Sequence, residues 1–71
     1  MPRNLEKVYP EMINLRIMRA RRGYTCSELA KRAGVDRALI SKYEGGYYKP
    51  HATTLKKLAD ALNCDVSEIL N

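Results

Sequence analysis

The sequence predicts a small all-α domain, and three observations lead to this class. Apolar residues recur at helical spacing, clearly over residues 52–62 and more loosely over 11–22. Residues 25–46 contain two short helical segments separated by a glycine, and no stretch alternates apolar and polar residues as a strand would. A chain of 71 residues makes one domain with a modest core.

The N-terminal segment, residues 1–10, contains two prolines and lacks helical periodicity. Terminal segments of this kind are flexible unless other parts of the chain hold them. We therefore expect a flexible N-terminal arm over residues 1–10 and one domain over residues 11–71. The arm carries Arg3 and Lys7, which suit either an unbound segment or contact with a nucleic acid or a partner subunit.

Residues 11–22 form the first predicted helix, which Gly23 ends. Leu15 and Met18 lie three residues apart and define its apolar face. Arg19 continues that apolar stripe, so we expect it at the edge of the core, where a charge needs a partner.

Two short helices, over residues 26–33 and 37–44, are predicted to meet at a turn that contains Gly34. Thr25 and Asp36 precede them as N-cap residues. A glutamate three residues after Thr25 completes a predicted capping box. This spacing is typical of a helix-turn-helix, and the alternative is an ordinary pair of helices in a bundle.

The remaining chain predicts a loop and two further helices. Residues 45–51 contain two glycines, two tyrosines and a lysine, and they suit a loop that binds phosphate. The alternative is a surface loop whose tyrosines pack on the protein. Residues 52–62 predict an amphipathic helix that ends at Asn63, and residues 66–70 predict a last short helix.

The charge and the cysteine content narrow the classes of function. A net charge of +5 and a pI of about 9.5 favour a polyanionic partner, either a nucleic acid or an anionic membrane surface. The sequence has no apolar run long enough to span a bilayer, and we expect a cytoplasmic protein. Cys26, Cys64 and the single His51 make neither a disulfide framework nor a zinc site nor a catalytic set, so no enzyme, cofactor or metal is expected.

A set of positions spread over residues 12–70 combines into a family signature. The residues that carry it lie at 15–19, 23–25, 28–30, 34–36 and 40–46, followed by Pro50, Leu55, Leu58, Ala59, Leu62, Val66, Ile69 and Leu70. In these positions the chain resembles the phage repressor and Cro-like helix-turn-helix family, the XRE type. The resemblance implies a five-helix repressor-like (lambda repressor-like) domain that binds double-stranded DNA, usually as a homodimer on a palindromic operator, and regulates transcription as a repressor.

The resemblance also implies a partner for the arginine at the edge of the core. In this family the arginine of the first helix pairs with the glutamate that ends the recognition helix, which here would join Arg19 to Glu44. Such a pair would tie the first helix to the third.

Base contacts are expected from the helix over residues 37–44, placed in the major groove with its N-terminus leading. Arg37 suits bidentate binding to guanine, with a phosphate contact as the alternative. Ala38 and Leu39 suit thymine methyl groups, although Leu39 could instead pack against a loop tyrosine. Lys42 can reach guanine or phosphate, whereas Ser41 and Tyr43 are predicted to face the neighbouring helices.

Contacts to the DNA backbone are expected on either side of this helix. One departure from the family is Cys26, which stands where glutamine is common and is a poor hydrogen-bond donor. Its contact would be lost or left to backbone N–H groups. The residues assigned to the backbone are Thr25, Cys26, Tyr47, Tyr48 and Lys49.

Two other functions remain open on the sequence. Antitoxins and control proteins of restriction systems resemble the same family, and some of them also bind a protein partner. Binding to a membrane surface is the other, although the apolar stripe of the first helix is needed for the core.

Overall fold

A computed structural model describes residues 9–70 of the chain. Within this range every regular element is helical, and none of these residues forms a strand. Residues 1–8 of the predicted arm, with Arg3 and Lys7, lie outside the described residues. The elements are a 3₁₀ turn, Pro10–Met12, followed by α1 (Ile13–Arg21), α2 (Cys26–Ala33), α3 (Arg37–Glu44), α4 (Ala52–Leu62) and α5 (Val66–Ile69). The five-helix all-α fold is thereby confirmed.

The ends of the first and last helices differ from the prediction. The helix predicted over residues 11–22 begins as the 3₁₀ turn, in which the Met12 N–H donates to the Tyr9 carbonyl at 3.0 Å. The α-helical part is Ile13–Arg21. The last helix ends at Ile69, because Leu70 is already extended. Periodicity does not distinguish a 3₁₀ turn from an α-helical turn over three residues, so the first boundary was not readable.

The N-terminus of α2 forms only half of the predicted capping box. The Thr25 hydroxyl accepts a hydrogen bond from the Glu28 N–H at 3.0 Å. The Glu28 carboxylate lies 3.3 Å from Arg32 Nη2 instead, one helical turn later. The prediction of a reciprocal box was therefore wrong, because Arg32 offers the carboxylate a charged partner.

The turn between α2 and α3 has the expected chemistry. Gly34 adopts a left-handed conformation with φ of 71°, which glycine accepts without steric cost. Val35 is half-buried against the core, and the Asp36 carboxylate accepts from the Ala38 N–H at 3.2 Å. These local contacts fix the angle at which α3 leaves the body of the domain.

All five helices contribute to the core: α2 packs against α3 and α4, α1 packs against α3 and α5, and α4 packs against α5. On α3, Tyr43 points inward as predicted, and Ile40 is buried beside it. Ser41 is exposed, and its predicted inward position was wrong because the two apolar residues already occupy the inner face. The buried side chains are Met12, Leu15, Met18, Leu29, Ala30, Ala33, Ile40, Tyr43, Leu55, Leu58, Ala59, Leu62 and Ile69.

A second arginine of the first helix region ties α1 to the end of α4. Arg22 Nε donates to the Leu62 carbonyl at 2.7 Å, and its Nη2 donates to the Asn63 carbonyl at 3.3 Å. Asn63 itself is left-handed, with φ of 55°, and ends α4. The carbonyls left without helical partners at this end thus receive donors from Arg22.

Candidate nucleic-acid interface

The outer face of α3 is a short polar strip with basic ends. Arg37, Ala38, Ser41 and Lys42 are all exposed. Because successive residues turn by about 100° around a helix, Ser41 lies between Arg37 and Ala38 on this face. The sequence reasoning missed Ser41 as a candidate contact, although the same helical geometry could have identified it.

Leu39 occupies a different position from the other candidates on α3. Its side chain is half-buried and packs against the core. The helical turn places it beside Tyr43 on the inner side, so only its edge reaches the outer face. The contact between Leu39 and a thymine methyl group stays a prediction, and the half-buried side chain offers less exposed surface for it than a fully exposed one would.

The two tyrosines after α3 are exposed but engaged with the protein. The Tyr48 ring, 51% exposed, lies under the Lys42 ammonium with 5.1 Å between the nitrogen and the ring centroid. The Tyr47 ring lies against Gly45, where an added Cβ would come within 2.7 Å of Tyr47 Cε2. The alternative in which the tyrosines pack on the protein is therefore seen in part, and the phosphate contact of the loop stays a prediction.

Arg19 and Glu44 form an ion pair that joins α1 to α3. Arg19 Nε donates to Glu44 Oε2, and Nη2 donates to Oε1 at 3.1 Å. The two side chains are only 17% and 8% exposed. The remaining donor, Nη1, reaches the Tyr24 carbonyl at 2.7 Å. The hydrogen bonding of Arg19 to the Glu44 carboxylate is the main cause that raises the pKa of Arg19 above its usual value.

Cys26 extends this cluster to the start of α2. Its Sγ lies 3.8 Å from Glu44 Oε1, within hydrogen-bond distance for sulfur. The thiol is therefore directed at the ion pair. Next to it, the hydroxyl of Thr25 is exposed and already accepts from the first turn of α2. Any phosphate contact at position 26 falls to the backbone N–H groups of the helix N-terminus.

Two further features bear on the class of site. Residues 9–70 bring together no group of three His, Cys, Asp or Glu side chains that could hold a metal ion. In the same residues, no helix has the length and apolar character needed to cross a bilayer.

Comparison with known proteins relates this arrangement to regulators. The chain is 33% identical over 58 residues to the HTH-type transcriptional regulator SlrR of Bacillus subtilis, a match covering 80% of this chain and 38% of that protein. The chain thus spans about two fifths of the length of that curated relative.

Solved structures are similar over most of the chain. The restriction-modification controller protein C.AhdI from Aeromonas hydrophila has a TM-score of 0.82 and 27% identity, covering 87% of this chain and 94% of that one. The clp gene regulator ClgR from C. glutamicum has a TM-score of 0.76 and 29% identity, covering 90% and 86%.

The family model described as helix-turn-helix matches residues 15–69. That range contains both helices of the motif, the turn at Gly34 and the Arg19–Glu44 pair. The match and the relatives confirm the resemblance seen in the sequence: the chain belongs to the helix-turn-helix family, of the XRE type.

Proposed function

We propose that the chain binds double-stranded DNA and regulates transcription, with α3 in the major groove. The observation that carries the proposal is the outer face of α3, which presents exposed donors at both ends and lies beside further cations. A net charge of +5 adds a general attraction to a polyanion. An α-helix fits the major groove, where base edges are distinguishable.

Base reading falls to the side chains on this face. Arg37, at the first position of α3, can bind guanine O6 and N7 together. Ala38 suits a thymine methyl group, and Ser41 can accept or donate at either kind of base pair. Lys42 and the exposed edge of Leu39 complete the set.

Contacts to the DNA backbone fall to two groups of residues outside α3. One group is Thr25 and the first N–H groups of α2, including that of Cys26. The other is Tyr47, Tyr48 and Lys49, which follow α3 in the chain. Such contacts fix the register of the protein on the duplex and carry no direct sequence information.

We further propose a repressor that acts in the cytoplasm as a homodimer on a palindromic operator. A single copy of α3 covers only a few base pairs, whereas two copies related by a two-fold axis read two half-sites. A restriction-control regulator is the second candidate, supported by the similarity to C.AhdI over 94% of that chain. An antitoxin that also binds a protein partner is a further alternative.

Selection from a random-sequence duplex library tests the proposal. We expect an enriched palindromic motif whose half-sites are about one helical turn, roughly 10 base pairs, apart. A library that stays unenriched after repeated rounds would contradict sequence-specific binding. If the enriched sequence occurs upstream of a restriction endonuclease gene and the protein protects it in a footprint, the second candidate is favoured.

A further inference from the structure

Two contacts fasten the loop after α3 to the segment before α1. The Tyr9 N–H donates to the Gly46 carbonyl at 2.9 Å. Lys49 Nζ lies 3.7 Å from Glu11 Oε2, and these two side chains are 40% and 29% exposed. A carboxylate therefore lies beside a cation that the proposed function assigns to the DNA backbone.

We propose that Glu11 competes with DNA phosphate for Lys49 and thereby lowers the affinity of the chain for every duplex. The inference rests on the proposed function, because it concerns Lys49 at the same interface. A partly exposed ion pair with 3.7 Å between its charged atoms contributes little to folding stability, so Glu11 is not explained as a structural requirement. Its effect is expected at the interface instead.

The competition follows from counterion release. A lysine that binds phosphate releases a condensed cation from the DNA, and this release drives binding. Lys49 already lies beside Glu11, so this pair must open before Lys49 binds phosphate, and the carboxylate left near the duplex repels the phosphates. This cost offsets part of the free energy that counterion release supplies, and it shrinks as salt screens the repulsion. Because phosphate contacts carry no direct sequence information, the loss applies equally to all sequences.

Within residues 9–70, the other cations assigned to the interface form no ion pair with a carboxylate. Lys42 lies over the neutral ring of Tyr48. Arg37 makes no ion pair with any residue in the range 9–70. Within that range, Lys49 is the interface cation with a carboxylate partner. Removal of the Glu11 charge should therefore strengthen DNA binding.

The test compares Glu11→Gln with Asp60→Asn as a matched control. Asp60→Asn removes the same charge and deprives Lys56 Nζ of its carboxylate partner, which lies 2.9 Å away. This pair lies on α4, outside the proposed interface. The probe is a fluorescein-labelled mixed-sequence duplex of about two helical turns, roughly 20 base pairs. At about 50 mM salt, we expect Glu11→Gln to bind about threefold more tightly than Asp60→Asn, and to lose most of this advantage at about 200 mM.

A double-mutant cycle with Lys49→Ala shows whether Glu11 acts through Lys49. In the Lys49→Ala background, the gain from Glu11→Gln should shrink to that of Asp60→Asn. Thermal unfolding verifies that each variant is folded.

Three results would overturn the inference. These are equal binding by Glu11→Gln and Asp60→Asn, weaker binding by Glu11→Gln, and a gain that is undiminished without Lys49. If the unmodified chain binds no duplex at low salt, the proposed function itself fails. If the unmodified chain binds and any of the three results is seen, the proposed function stands and this inference alone is lost.

Discussion

The Arg19–Glu44 pair is the residue-scale feature on which the orientation of α3 depends. Its two side chains are largely buried, and each of the three guanidinium nitrogens of Arg19 donates to an oxygen. A buried pair of this kind is not a large net source of stability, but the removal of one partner leaves an uncompensated charge. The pair therefore holds α1 and α3 in one arrangement.

We expect Glu44→Ala to lower the free energy of unfolding by about 3 kcal/mol, because it leaves the Arg19 charge buried without its carboxylate. Chemical denaturation measures the loss. The matched control is Glu28→Ala, which removes the exposed ion pair with Arg32, one helical turn away. This change should lower the free energy of unfolding by only about 0.5 kcal/mol. Equal losses in the two variants would show that the buried pair does not hold the helices together.

At the scale of the element, α3 combines a rigid start with an exposed face. The Asp36 cap and the left-handed Gly34 fix its first turn, and Ile40 and Tyr43 fix its inner side. The side chains at its N-terminus are thus presented on a rigid backbone, as readout of base edges requires.

Arg37→Ala should weaken binding to the selected duplex by about 1–3 kcal/mol and relax the preference at one base pair, because one bidentate contact is lost. Competition titrations with single-base variants of the duplex measure this. Arg16→Ala removes the same charge from an exposed site on α1 and should leave the base preferences unchanged. A loss that is uniform over all duplexes would reassign Arg37 to a phosphate.

The bounds of α2 and α3 were readable from the sequence because their determinants are local. Thr25, Gly34 and Asp36 act through backbone groups within three residues, so their types alone predict the caps. The Glu11–Lys49 pair was not readable, because it joins residues that only the tertiary structure brings together. The choice of Glu28 between the helix N-terminus and Arg32 depends on competing contacts of similar energy.

On the scale of the whole molecule, two arginines connect three of the five helices. Arg19 joins α1 to α3, and Arg22 joins the end of α1 to the end of α4. The apolar core alone is modest in a chain of this size, so these ties limit relative movement of the helices. For the proposed function, the consequence is that α3 keeps this position before DNA binds.

The most direct test of the central claim is a nuclear magnetic resonance titration of the labelled chain with a duplex of the selected sequence. The account predicts that the amide shifts change most in α3 around Arg37, Ser41 and Lys42, and beside it at residues 25–26 and 47–49. Changes confined to α5 and the outer face of α1, or no change at low salt, would contradict the placement of α3 in the major groove.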